Sequence, residues 1–338
     1  MTRALVTGGS GFIGHHLVSA LVASGNTVRI LDIRPPKNLQ PGAQYIKGTV
    51  LDPTAVTESL REIDVVYHLA ALPGMWTPQR RDFHTVNMQG TEIVLSAARE
   101  YGISRFLHCS TESVLFGRQN SERMDSESVK TTLAEMPGDY TRSKWAAEQL
   151  ALKAAESGFP VVIAIPTMPI GPDHNCTPPT AMLKYFLGRR TPMYLDFVLN
   201  LVDVRDVAAG MILVLEQGHA GERYILGGEN LSLEVLLERV AAIAGHRFRS
   251  FQIPGAAASA VALAMEWVAD HVTRRSPAAT IEGVRIALRS KALSSEKARR
   301  ELGYAPRPIE AALLETINEM LASKAPQLSV HSRASGNP

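Results

Sequence analysis

The stretch Val6-Thr7-Gly8-Gly9-Ser10-Gly11-Phe12-Ile13-Gly14 constrains this chain more than any other. A short apolar run, Ala4-Leu5-Val6, precedes it, and a helical pattern with Ile13, Leu17, Leu21 and Val22 follows. A strand, a glycine turn and a helix together form a cradle for a dinucleotide phosphate. Gly8 permits the tight turn, Gly11 lets the backbone approach a pyrophosphate, and Gly14 allows close packing of the helix. Phe12 and Ile13 open the helix, whose free N–H groups and partial positive charge favour an anion. A plain turn is the competing reading of a glycine triplet. The next apolar run, Thr27 to Leu31, ends in Asp32, where a carboxylate can accept hydrogen bonds from ribose hydroxyls.

The first half alternates strand and helix signals, which predicts an α/β fold with a doubly wound parallel sheet. Strands are expected at Ala4–Val6, Val28–Leu31, Tyr45–Lys47, Asp64–Leu69, Arg105–Cys109 and Val161–Ile165. Helices are expected at Ile13–Ser24, Pro53–Arg61, Val86–Tyr101 and Ser143–Ser157. Such a sheet gathers its strand C-termini at one edge, where a ligand crevice forms. From Pro166 on, prolines interrupt the chain, and a mixed region follows with helices at Thr180–Leu187, Leu233–Ala244 and Ile309–Ala322 and a strand at Arg223–Leu226. The expected division is a dinucleotide-binding domain over 1–166, with 200–215 as a candidate return to it. A smaller substrate-binding domain then covers most of 167–324, and a disordered tail covers 325–338.

Composition narrows the partners. The 338 residues carry a net charge of +2, which argues against a nucleic-acid partner. Two cysteines, Cys109 and Cys176, make no disulfide framework and fit a reduced, cytoplasmic setting. No signal peptide or spanning segment is read, and the ten histidines show no metal spacing, so no metal is expected.

The chemistry is read from Asp139-Tyr140-Thr141-Arg142-Ser143-Lys144. Tyr140 and Lys144 fall one helical turn apart, on one face. A phenol is a poor base at neutral pH, and a nearby ammonium lowers its pKa, so the pair suits a proton shuttle for an alcohol or carbonyl oxygen. Lys144 can also reach a nicotinamide ribose. Upstream, Ser110 and Thr111 end a predicted strand, where Thr111, with Ser110, can orient a substrate oxygen against Tyr140; a Ser/Thr turn is the alternative. The small residues of Leu69-Ala70-Ala71 allow cofactor approach, and Asn87 reads as a support for the Tyr–Lys pair or as a helix cap.

Thr7–Gly14, Asp32, His68–Ala71, Asn87, Ser110–Thr111, Tyr140 and Lys144 together resemble the extended short-chain dehydrogenase/reductase superfamily. This group contains NAD-dependent epimerase/dehydratases, dihydroflavonol reductases and 3β-hydroxysteroid dehydrogenases. The likeness covers roughly residues 1–322. Stretches at Pro169–Pro172, Asn200–Gly210 and Gly221–Asn230 are similar to hopanoid-associated sugar epimerases, and Ser110–Phe116 to sterol 3β-dehydrogenase/decarboxylases. The resemblance implies a Rossmann fold, an NAD cofactor with NADP as the alternative, and hydride transfer at a ring alcohol or ketone. A nucleotide-sugar epimerase and a non-catalytic dinucleotide sensor are the competing functions. It also places Thr49, Val50 and Pro166 at the cofactor and implies a homodimer. Three departures stand out. Thr49 replaces the acid that relatives turn to adenine, Ile165 replaces an arginine, and Glu112 is followed by Ser113. A single carboxylate there argues against a dehydratase, which needs an acid and a base.

Some residues allow two readings. His15-His16 read as first-turn helix residues rather than ligands. Arg189-Arg190 fits a diphosphate clamp or a solvated helix end. Trp76 fits a ring-stacking wall or loop packing. The apolar run Met193-Tyr194-Leu195-Asp196-Phe197-Val198-Leu199 borders the crevice or fills a second core. Pro254 to His271, with Glu266 and Asp270 on its polar side, reads as a helix packed on its own domain or as one in peripheral contact with a membrane. The lean is toward a small, hydrophobic ring substrate.

Overall fold

A computed structural model describes residues 1–117, 127–172, 178–189, 191–245 and 249–322. The candidate tail at 325–338, Arg190 and Cys176 lie outside the described residues. The strands, in chain order, are β1 (Arg3–Thr7), β2 (Thr27–Asp32), β3 (Ala43–Lys47), β4 (Val65–His68), β5 (Arg105–Cys109), β6 (Val161–Pro166), β7 (Met168–Ile170), β8 (Met193–Tyr194), β9 (Val198–Asp203), β10 (Arg223–Leu226), β11 (Glu229–Ser232) and β12 (Phe251–Gln252). Among the described residues, seven strands form one sheet in the order β10-β6-β5-β4-β1-β2-β3. Every pairing in it is parallel. The strand order reverses between β1 and β4, and the glycine loop leaves β1 at that point.

Parallel strands are covered on both faces, so their residues are apolar without alternation. Leu5, Val66, Phe106, Val161 and Ile163 pack under helices Pro53–Leu60, Gly90–Glu100 and Asp139–Glu156. Val6, Val28, Tyr67, Leu107 and Val162 face helices Phe12–Ala23 and Val204–Gln217. Helix Phe12–Ala23 is seated by Gly14, where an added Cβ would lie 2.3 Å from the Gly8 carbonyl oxygen. Gly8 itself has φ +73, and a Cβ there would lie 2.7 Å from the Ala70 nitrogen.

The second half differs from the expectation in two places. β9 does not join the main sheet; it pairs with β7 and β11 in a three-stranded sheet. The helix that follows, Val204–Gln217, does return and packs beside Phe12–Ala23. The seventh strand of the main sheet is β10, read from sequence as part of the second half. Tyr224, Ile225 and Leu226 are each fully buried, which is the signature of a strand covered on both faces. Four residues are too short a run for that signature to stand out.

A third core holds the rest together. It joins Leu183, Phe186, Tyr194, Leu199, Leu236 and Leu313. The 193–199 run is divided: Tyr194 and Leu199 are buried in this core and Phe197 packs against it, Leu195 packs on a separate small cluster, and Met193 is exposed. Buried Asp203 and Asp206 pair with Arg205 and Arg307, fastening this region to helix Val204–Gln217.

Gly14→Ala is expected to force the helix off the glycine loop and destabilise the fold by about 1–3 kcal/mol. Denaturant unfolding of the purified variant measures this; unchanged stability would mean the close approach is not needed.

Candidate functional site

The glycine loop is built by its own backbone. Gly8 N–H donates to the Leu31 carbonyl at 2.9 Å, and Gly11 N–H to the Gly8 carbonyl at 3.0 Å. Gly11 caps helix Phe12–Ala23 without a side-chain bond, and the first turn carries no acid. An anion can therefore take the helix N-terminus. The Asp32 carboxylate is fixed beside the loop, accepting from Ser10 N at 3.1 Å and from Arg34 N at 3.1 Å. The Arg34 side chain is exposed. Thr49 accepts from Leu51 N at 3.3 Å, and Val50 is buried against Gly90. Leu69, Ala70 and Ala71 lie half-buried past the end of β4, and Pro166 ends β6.

A hydrogen-bonded chain ties the ends of β1 and β4 to the next helix. His68 is bracketed by the Thr7 hydroxyl at 2.8 Å and the Thr91 hydroxyl at 2.9 Å. Thr91 donates to the Asn87 carbonyl at 2.6 Å, so it accepts from His68 Nε2–H, leaving Nδ1 to accept from Thr7. Burial holds this histidine neutral, its pKa pushed down to about 3, with the Lys144 charge adding to the effect. Asn87 stands on a π-helical turn, His84–Gln89. Its side chain accepts from Leu72 N at 2.6 Å and donates to Ser143 Oγ at 2.9 Å. The amide thus joins the loop after β4 to the helix that carries Tyr140.

Tyr140 and Lys144 lie on helix Asp139–Glu156, which starts four residues before the expected Ser143. Lys144 is buried and donates to the Cys109 carbonyl at 2.7 Å. Tyr140 lies beside Thr111, and its ring meets Phe83 edge-on at 5.9 Å. Burial pushes the phenol well above its ordinary value, and the neighbouring Thr111 only partly offsets this. Burial also lowers the Lys144 ammonium. The expected lowering of the phenol by Lys144 is therefore not what this site holds: burial raises it. Glu112, beside the phenol, has its carboxyl pushed up to about 8 by burial.

Ser110 is turned away from Thr111. It is buried and its hydroxyl donates to the fully buried Glu148, which Arg223 of β10 also meets at 3.1 Å. In this arrangement Ser110 anchors the end of β5 rather than facing a substrate oxygen.

One site residue has no sequence signal. Gly138, at the N-cap of the Tyr140 helix, has no side chain to offer, and Glu282 takes its place from helix Ile281–Arg289. Its carboxylate accepts from Tyr140 N at 3.2 Å, Thr141 N at 2.7 Å and the Thr141 hydroxyl at 2.6 Å. The partners are 141 and 142 residues apart, so only the tertiary fold reveals the cap.

Other candidates resolve simply. Trp76 is buried, and its indole N–H donates to Asp270 at 2.8 Å, which supports loop packing. Arg189 stacks over the Tyr185 ring at 4.7 Å. His16 bonds the Pro172 carbonyl at 3.2 Å from within helix Phe12–Ala23.

Comparison with known proteins agrees with this geometry. Residues 4–227 match the model of the NAD dependent epimerase/dehydratase family. A Synechocystis protein assigned as a dihydroflavonol 4-reductase is 34% identical over 93% of both chains. The 4-hydroxy-2-methyl-3-oxo-4-farnesyl-3,4-dihydroquinoline-1-oxide ketoreductase of Stigmatella aurantiaca is 36% identical, over 90% of this chain and 92% of that one. The crystal structure of gox2253 superposes with a TM-score of 0.81 at 32% identity, covering 96% of this chain and 99% of that one.

The His68 pKa lies below its unfolded value of 6.5. Its contribution to stability is therefore complete above that pH and is lost as pH falls through the window down to about 3. Between pH 7 and pH 5 the wild type should lose about 2 kcal/mol more unfolding free energy than His68→Asn. Parallel denaturant curves at the two pH values measure the difference, and equal losses would mean that His68 is not held neutral.

Proposed function

The chain belongs to the NAD dependent epimerase/dehydratase family, and from that premise we propose that it is a dehydrogenase or reductase acting on a hydrophobic ring alcohol or ketone. The observation that carries the proposal is the placement of the Tyr140 phenol beside Thr111, with Lys144 buried one turn along the same helix. A carbonyl or alcohol oxygen bound there would meet both hydroxyls, each of which can donate to it or accept from it.

When bound, NAD would supply the hydride acceptor or donor. The N-terminus of helix Phe12–Ala23 would take the pyrophosphate, and Gly8 and Gly14 keep the loop free of side chains there. Asp32 would accept from adenosine ribose hydroxyls, and its charge would oppose a 2′-phosphate, which favours NAD over NADP. Lys144 would hold the nicotinamide ribose. In reduction, the Tyr140 O–H gives its proton to the carbonyl oxygen as charge develops there, and Thr111 steadies that oxygen. In oxidation the same proton returns to Tyr140. A phenol held protonated by burial is suited to the donor role in reduction.

The substrate class rests on the relatives, since Trp76 bonds Asp270 and Tyr194 and Leu199 fill a core. The Stigmatella relative is named for a farnesyl-bearing ring ketone. An epimerase of nucleotide sugars is the second reading, supported by the family description. The pairing of Arg189 with Tyr185 does not favour a diphosphate clamp at that helix end.

Tyr140→Phe keeps the ring and removes the proton. With ring ketones of the flavonoid, sterol and isoprenoid-quinoline types as substrates, its turnover of NADH is expected to fall by at least about 100-fold. NAD should still bind, as read by calorimetry. Near-normal turnover in the variant would overturn the assignment, and turnover of nucleotide sugars alone would favour the epimerase reading.

A further inference from the structure

Helix Gly255–Val268 and the π-helical turn Ala269–Thr273 that extends it are attached to the protein by one narrow stripe. Ala258, Ala262, Glu266 and Ala269 are buried, and they recur at helical spacing on a single face. Nearly every other position is exposed. Leu263, Trp267 and Val272 are 62%, 58% and 67% exposed, and Val261, Met265 and Val268 are exposed beside them. The arrangement reverses the usual one. Glu266, the sole charged residue between Gly255 and Val268, is turned inward, where its carboxylate accepts from Ile281 N at 3.2 Å. Asp270 is likewise drawn to the protein by Trp76 and Arg80. The acids expected on a polar outer side thus face the protein, and the apolar side faces out.

The apolar strip ends in cations. Arg274 and Arg275 follow it directly and are exposed, with no ion pair to either among the described residues. An apolar helix surface whose acids are paired with the protein, an exposed tryptophan and a pair of arginines at the end match an anionic lipid surface in both polarity and charge. We propose that helix Gly255–Val268 lies in the headgroup region of an anionic membrane, with Leu263, Trp267 and Val272 entering the acyl boundary and Arg274 and Arg275 at the phosphates. Helix Ile281–Arg289, whose Glu282 caps the Tyr140 helix, packs against this helix, so the membrane would meet the protein one helix away from the site. The proposal is independent of the substrate assignment.

The test is cosedimentation of the full chain with vesicles of phosphatidylcholine alone or mixed with phosphatidylglycerol. Binding is expected to the mixed vesicles, with a blue shift of tryptophan emission that Trp267→Phe removes, because Trp76 is buried and Trp145 is packed against the main core. Arg274→Ala with Arg275→Ala should weaken this binding about thirtyfold, at roughly 1 kcal/mol for each cation near the surface. Leu263→Glu with Val272→Glu should abolish it, and unchanged circular dichroism and NAD binding would show that these exposed substitutions leave the fold intact. Absence of binding to mixed vesicles overturns the proposal. Equal binding of the double arginine variant to neutral vesicles overturns it too. A dimer in sedimentation that Leu263→Glu breaks, without vesicle binding, would replace the lipid with a second copy of the chain.

Discussion

The buried Lys144 ammonium is the constraint around which the rest of the site is arranged. A cation taken out of water is costly unless a partner receives it, and here the Cys109 carbonyl does so at 2.7 Å. The end of β5 is thereby committed to the Tyr140 helix. One turn further along, Glu148 is fully buried and receives both the Ser110 hydroxyl and the Arg223 guanidinium. Arg223 comes from β10, so the seventh strand is locked to the same helix by charge as well as by backbone pairing to β6. Removing one member of such a buried set leaves the other charge unpartnered, which makes the set act as a unit.

The second half of the chain completes the site from outside the main sheet. Glu282 supplies the acceptors that the first turn of the Tyr140 helix lacks. Asp270 holds the loop after β4 through Trp76 and Arg80. Asn87 ties that loop back to the Tyr140 helix through Ser143. The phenol is thus enclosed by elements from both halves, and enclosure is what raises its pKa. Burial likewise pushes the half-buried Glu112 carboxyl beside it up to about 8.

What the sequence revealed was local. The strand, glycine loop and helix at Ala4–Val22, the carboxylate ending β2 and the Tyr140/Lys144 spacing are readable because a few neighbouring residues determine them. Gly14 could be assigned to close packing for the same reason. Features set by distant partners were not readable. Glu282 acts across more than a hundred positions. Ser110 looked like a partner of Thr111 until buried Glu148 gave its hydroxyl another acceptor. The 193–199 run is equally apolar whether it lines a crevice or fills a core, and only the structure shows that Tyr194 and Leu199 are buried with Leu236 and Leu313. Helix Gly255–Val268 showed its two faces in sequence, but which of them points to solvent depended on the partners of Glu266 and Asp270.

The central claim is that burial holds the Tyr140 phenol protonated well past its ordinary range in the free protein. The direct measurement is the ultraviolet signature of tyrosinate against pH, taken as wild type minus Tyr140→Phe. The difference signal should stay absent through pH 10. A tyrosinate signal at or below pH 10 would contradict the account.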